Sequence, residues 1–266
     1  MQRRGEKALI IFITAGDPSI ELTYELVLEL AKSGVDIIEL GMPFSDPLAD
    51  GPTIQASGQR ALKAGITVPR LLTLVEKLRT KIQIPLVMMT YLNPIYRYGL
   101  EKFVRRAREV GLDGVIVPDF IVEEAAGWRR LLLSNGMDPI FLATPTTPLE
   151  RVKLIAWKSR GFLYYVSVTG ITGARDRLPE ELARNLRQVK KVVRIPLACG
   201  FGICRPQQVR EITQYTEGVI IGSALIKLIE KNKNRKELFK VISRFVRNMK
   251  VATRLKIFLE KKEKNN

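Results

Sequence analysis

Glu39 and Asp50 bracket the stretch ELGMPFSDPLADGP, where Pro43, Pro47, Pro52, Gly41 and Gly51 forbid regular structure. Glu39 closes an apolar run, Val35–Asp36–Ile37–Ile38, that suits a buried strand. A carboxylate at the tail of such a strand is costly unless it has a partner or a task. Asp50 follows in the loop. Two acids in a stiff loop above a strand end suit proton transfer, with one giving a proton while the other takes or holds one. The same residues admit a structural reading. Asp50–Gly51 makes an ordinary turn, and a strand-end acid can be a satisfied hydrogen bonder. The pattern alone leaves both readings open.

Composition narrows the chemistry. The chain of 266 residues has no histidine, which removes His-based triads, His metal sites and His general bases together. Cys199 and Cys204 are the two cysteines, too few for a zinc site, and read as reduced thiols. No metal and no cofactor is expected. No apolar run reaches membrane-spanning length, and the N-terminus enters a strand at once without a cleavable leader. A soluble protein is expected, of a bacterial cytoplasm or a plastid stroma. Net charge is +17. From Lys227 onward fourteen Lys/Arg face four Glu, so +10 of it sits in the C-terminal segment. Leu238, Val241, Ile242, Phe245, Val246, Met249, Ala252, Leu255 and Leu259 recur there at helical spacing, giving an amphipathic helix with a solvated basic face. Such a face does not by itself call for nucleic acid.

The acids need elements to position them. Short apolar runs begin with Leu9–Thr14 and the focal strand. They continue through Ile84–Met89, Gly114–Val117, Pro139–Ala143, Phe162–Ser167, Pro196–Cys199 and Gly218–Ile221. Helical patterns separate them, among them Ile20–Lys32, Thr53–Ala64, Pro69–Thr80, Glu101–Val110, Val122–Asn135, Leu149–Lys158, Pro179–Val192 and Pro206–Tyr215. Strand then helix, eight times in roughly 250 residues, predicts a single-domain (β/α)8 TIM barrel. A doubly wound sheet would want an early G-x-G-x-x-G, which is absent. We expect a barrel over residues 1–254 and a basic extension over 255–266.

In such a barrel the site lies at the C-terminal ends of the strands, and the unusual residues fall there. Gly200–Phe201–Gly202 lets backbone amides approach a ligand, and Gly222–Ser223 opens a helix whose free N–H groups favour an anion. Adjacent loops after strands seven and eight thus predict a phosphate site; the alternative is that the glycines only permit tight turns. Gly170 and Gly173 bracket a polar loop with the makings of a lid.

The run ELGMPFSDPLADGPTIQ resembles the signature of the alpha subunit of tryptophan synthase. The likeness extends from FITAGDP at Phe12–Pro18 to FVRNMKVATR at Phe245–Arg254. It implies a lyase that cleaves indole-3-glycerol phosphate to indole and glyceraldehyde 3-phosphate without a cofactor. Glu39 falls on the family's acid/base glutamate and Asp50 on its catalytic aspartate. Tyr164 falls on the tyrosine near the glutamate, Tyr91 on the one after strand three, and Thr172 on the threonine that contacts the aspartate. Phe12, Ile54 and Phe201 would flank the indole; Gly173, Gly202, Gly222 and Ser223 would hold the phosphate. The implied partner is a beta subunit in an α2β2 tetramer, docked on the loops Phe44–Gly51 and Tyr91–Tyr98. Family members usually carry a helix before the first strand, for which this chain starts too late. A stand-alone lyase, another phosphate-binding barrel enzyme, and a catalytically inactive binding or regulatory barrel or nucleic-acid binder working through the basic tail are the alternatives.

Overall fold

The structure is a computed structural model that describes residues 5–167, 179–200, 202–232 and 234–254. In chain order the elements are β1 (Ala8–Thr14), α1 (Ile20–Lys32), β2 (Ile37–Gly41), α2 (Pro52–Lys63), α3 (Val68–Arg79), β3 (Leu86–Met89), α4 (Leu92–Tyr98), α5 (Leu100–Glu109), β4 (Gly114–Ile116), α6 (Ala126–Ser134), β5 (Asp138–Ile140), β6 (Leu142–Ala143), α7 (Leu149–Lys158), β7 (Leu163–Val166), α8 (Glu180–Val192), β8 (Leu197–Gly200), α9 (Pro206–Ile212), β9 (Gly218–Ile221), α10 (Ser223–Lys231) and α11 (Arg235–Ala252). Local signals set many of the boundaries. Leu22 N–H donates to Ser19 Oγ at the start of α1, and prolines occupy the first positions of α2 and α3. β2 starts at Ile37 and runs on to Gly41, past the end of the apolar run, so Glu39 lies inside the strand.

All strand pairs are parallel, in the order β5-β4-β3-β2-β1-β9-β8-β7-β6. The strand expected at Pro139–Ala143 is divided at Phe141 into β5 and β6. Phe141 N–H leaves the ladder and donates to Ser159 Oγ at 3.2 Å. Backbone bonds still cross the division, from Arg160 N–H to Pro139 O at 2.9 Å and from Tyr164 N–H to Phe141 O at 3.2 Å. The nine segments therefore close as the eight strands of a (β/α)8 barrel.

Two apolar cores follow from the strand period of two. One lies between strands and helices and takes Leu9, Ile11, Ile13, Ile38 and Leu40; the other fills the barrel with Ile10, Val87, Ile116, Ile140, Tyr164 and Ile220. Phe12 and Thr14 alternate inward with Ile10, and the register Phe12↔Glu39, Thr14↔Gly41 carries Glu39 into the interior. At the opposite end α11 is pinned to the entrance of β1. Lys7 N–H donates to Thr253 O at 3.1 Å, and Lys250 Nζ reaches Asp36 at 2.7 Å and Glu6 at 3.3 Å.

Candidate active site

Glu39 is 0 % exposed. Neither of its carboxylate oxygens has a hydrogen-bond partner among the described residues. Burial, with the nearby charge of Asp50 adding to it, pushes its carboxyl up to about 8. Such an acid stays protonated at neutral pH without a donor to quench it, which suits a group that must both give and take a proton.

Asp50 sits above it, on the loop between β2 and α2. Burial raises its carboxyl, and a hydrogen bond from Tyr91 works against that rise. Tyr91 Oη donates to Asp50 Oδ2 at 3.2 Å and accepts from Ala49 N–H at 2.9 Å. The loop is closed from below as well: Gln55 Nε2, in the first turn of α2, donates to Asp50 O at 2.8 Å. Phe44 packs on the Tyr91 ring with centroids 5.5 Å apart. Tyr91 is therefore more than a core aromatic, because its hydroxyl ties the loop after β3 to the loop after β2.

Asp50, Phe12, Ile54 and Tyr91 line one pocket, whose empty space is about 390 Å³ with its open side included. Met42, Met89 and Thr14 also stand in its wall, while Glu39 does not. Thr14 was not singled out in the sequence. Its hydroxyl is buried and has no partner among the described residues, and the inward alternation from Ile10 through Phe12 was the signal for it. Glycines shape the interior. A Cβ on Gly41 would stand 2.6 Å from Phe12 Cε2, one on Gly222 would stand 3.2 Å from Phe12 Cδ1, and one on Gly200 would stand 2.9 Å from Tyr164 Oη. Gly200, expected to admit a ligand, thus also makes room for the tyrosine. Tyr164 lies in the barrel close enough to Glu39 to feel its charge, which adds to burial in raising the phenol.

The expected anion end is open. Gly222 precedes α10, no side chain caps the start of that helix among the described residues, and its first turn carries no acid. Gly202 holds φ +75°, a conformation that favours glycine. β8 and β9 are neighbours with Gly200 opposite Ile220, so Gly202 and Gly222–Ser223 follow adjacent strand ends. Thr172, Gly173, Phe201 and the extension 255–266 lie outside the described residues.

The same barrel end carries exposed apolar side chains. Leu48 is 93 % and Tyr96 70 % exposed, and Ile121, in the loop after β4, is half exposed. Among the described residues no group of acids and cysteines is disposed to hold a metal, and no helix is long and apolar enough to cross a membrane.

Comparison with known proteins matches this geometry to one family. The family model "Tryptophan synthase alpha chain" matches residues 1–254. A relative of that name from Geobacter sp. (strain M21) is 48 % identical over 250 residues, covering 94 % of this chain and 93 % of its own. One from Petrotoga mobilis is 46 % identical over 249 residues, covering 93 % and 96 %. Among solved structures, tryptophan synthase subunit alpha from Legionella pneumophila superposes with TM-score 0.87 at 38 % identity, covering 95 % of this chain and 94 % of that one. A structure of the tryptophan synthase α2β2 complex from Pyrococcus furiosus superposes with TM-score 0.86 at 38 % identity, covering 92 % and 98 %. This chain belongs to the tryptophan synthase alpha chain family.

Proposed function

We propose that Glu39 and Asp50 carry the lyase reaction of this family in this chain, the cleavage of indole-3-glycerol phosphate to indole and glyceraldehyde 3-phosphate. The protonated carboxyl of Glu39 delivers its proton to C3 of the indole ring. Asp50 accepts a hydrogen bond from the indole N–H and stabilises the positive charge that develops there. The Glu39 carboxylate then takes the proton of the glycerol hydroxyl next to the ring. The O–H electrons become the aldehyde C=O, the carbon–carbon bond breaks, and its electrons return to the ring. Glu39 ends protonated, ready for the next cycle. Tyr164 flanks Glu39, Tyr91 holds Asp50, Phe12 and Ile54 flank the ring, and Gly202, Gly222 and Ser223 hold the phosphate; the roles of Phe201, Gly173 and Thr172 rest on the family resemblance alone. The observation that carries the reading is buried Glu39, without a hydrogen-bond partner among the described residues and close enough to feel the charge of Asp50, which lines the pocket. The test is release of indole from indole-3-glycerol phosphate, followed alone and with a beta subunit added.

The partner is a tryptophan synthase beta subunit in an α2β2 assembly. Exposed Leu48 and Tyr96, on the two loop segments expected to dock, favour that partner over a stand-alone lyase. Residues 1–254 are the catalytic barrel and 255–266 an extension, a division supported by the family match ending at residue 254. The protein is read as a soluble enzyme of a bacterial cytoplasm or plastid stroma, with bacterial relatives in support.

A further inference from the structure

One guanidinium on α2 ties that helix to the end of β1 and to α10. Arg60, on α2, donates from Nε to Asp17 Oδ1 and from Nη2 to Asp17 Oδ2, both at 2.8 Å, and from Nη1 to Glu230 Oε1 at 3.0 Å. Asp17 stands just beyond β1 with its side chain only 3 % exposed. A buried carboxylate demands full pairing, and Ser57, three residues before Arg60 on the same face of α2, donates its hydroxyl to it as well. Glu230 is in the last turn of α10. A bidentate fork fixes angle as well as distance, which a point charge does not.

Each gripped element leads into the pocket. β1 carries Phe12. α2 opens directly after Asp50, and its first turn holds that residue through Gln55. α10 begins at Gly222–Ser223, where Gly222 lies against Phe12. Arg60 stands eight residues into α2 from Pro52, about 12 Å along the axis, so a tilt of about 5° there moves the start of α2 by about 1 Å. A displacement of that size in reacting groups can cost about a hundredfold in rate.

We infer that Arg60 is a positioning residue for the lyase reaction, setting the acid-bearing loop in register with β1 and with the helix at the anion end by binding Asp17 and Glu230 together. The inference rests on the assignment of Asp50 to catalysis. Arg60→Lys is the informative variant. It leaves a cation beside buried Asp17, so the barrel folds, but it removes the fork. Steady-state indole formation from indole-3-glycerol phosphate should show kcat lowered about tenfold with KM changed less than about threefold, at a temperature where circular dichroism finds both proteins folded. In an Asp50→Asn background the same change should cost less than about twofold, because the group being positioned is gone. Active wild-type enzyme with Arg60→Lys within about twofold of it overturns the positioning role alone. So does an equal loss in both backgrounds, which would make Arg60 a general support of the fold. Wild-type protein that releases no indole overturns the lyase assignment, and this inference with it.

Discussion

Tyr91 and Asp50 share a hydrogen bond of 3.2 Å that joins two loops of the barrel mouth, with Ala49 N–H donating back to the same phenolic oxygen at 2.9 Å. The hydroxyl therefore both orients the aspartate and holds its carboxyl lower than burial alone would. Tyr91→Phe removes donor and acceptor together. A hydrogen bond to a charged group contributes about 1.5–3 kcal/mol, so kcat/KM should fall by roughly ten- to a hundredfold. The acidic limb of the pH–rate profile should also move to higher pH, since Asp50 loses the contact that lowers it. An unchanged profile would remove Tyr91 from the site.

Glu39 makes turnover depend on pH in a defined direction. Its carboxyl titrates at about 8, so the proton it delivers is present at neutral pH and lost above that value. With the acid form required, kcat should fall about tenfold for each pH unit beyond about 8. A flat profile to pH 10, in protein still folded by circular dichroism, would contradict the assignment.

The same group lowers stability at neutral pH. Below pH 4.5 both the folded and unfolded chains hold the proton, and folding is unaffected. Between 4.5 and about 8 the unfolded chain releases it while the folded chain retains it, so stability falls as pH rises through this window. The full loss is roughly 5 kcal/mol as an upper figure. Glu39→Gln should therefore melt higher than wild type at pH 8, and the difference should shrink steadily toward pH 4.5. Parallel melting curves across the range would show that Glu39 is not buried uncharged.

Gly41 marks where a methyl group would reach the site through a neighbour. A Cβ there meets the Phe12 ring and drives it toward the pocket. Gly41→Ala should fold and raise KM about tenfold as the ring takes substrate space. Phe12→Leu added to it should recover part of the loss. A normal KM in Gly41→Ala would mean that the ring has room to retreat.

Much of this was legible in the sequence because the signals were local. The apolar runs located the barrel strands, and Gly34 and Pro69 marked helix ends; Pro52, read as breaking regular structure, instead opens α2 at the position where its missing N–H is harmless. Distant partners hid the rest. Residues 92–98 read as a loop through Asn93–Pro94 but form α4, because Pro94 falls in the first turn where its missing N–H is harmless. The helix start is secured from far along the chain by Asp119, whose two oxygens accept Leu92 N–H at 3.0 and 3.2 Å. The break at Phe141 likewise depends on Ser159. Glu39 and Asp50 were visible as acids in an expensive place, but the lack of a donor to Glu39 among the described residues and the Tyr91 bond to Asp50 exist only in three dimensions. Gly41 and Gly200 read as loop or ligand glycines, and each in fact makes space for an aromatic ring packed inside the barrel.

In this reading the proton moves through Glu39. Indole release from indole-3-glycerol phosphate by Glu39→Gln, set against wild type in the presence of a beta subunit, tests it most directly. The variant should fold, still bind the phosphorylated substrate and lose turnover by a factor of at least about a thousand. Turnover within about tenfold of wild type would contradict it.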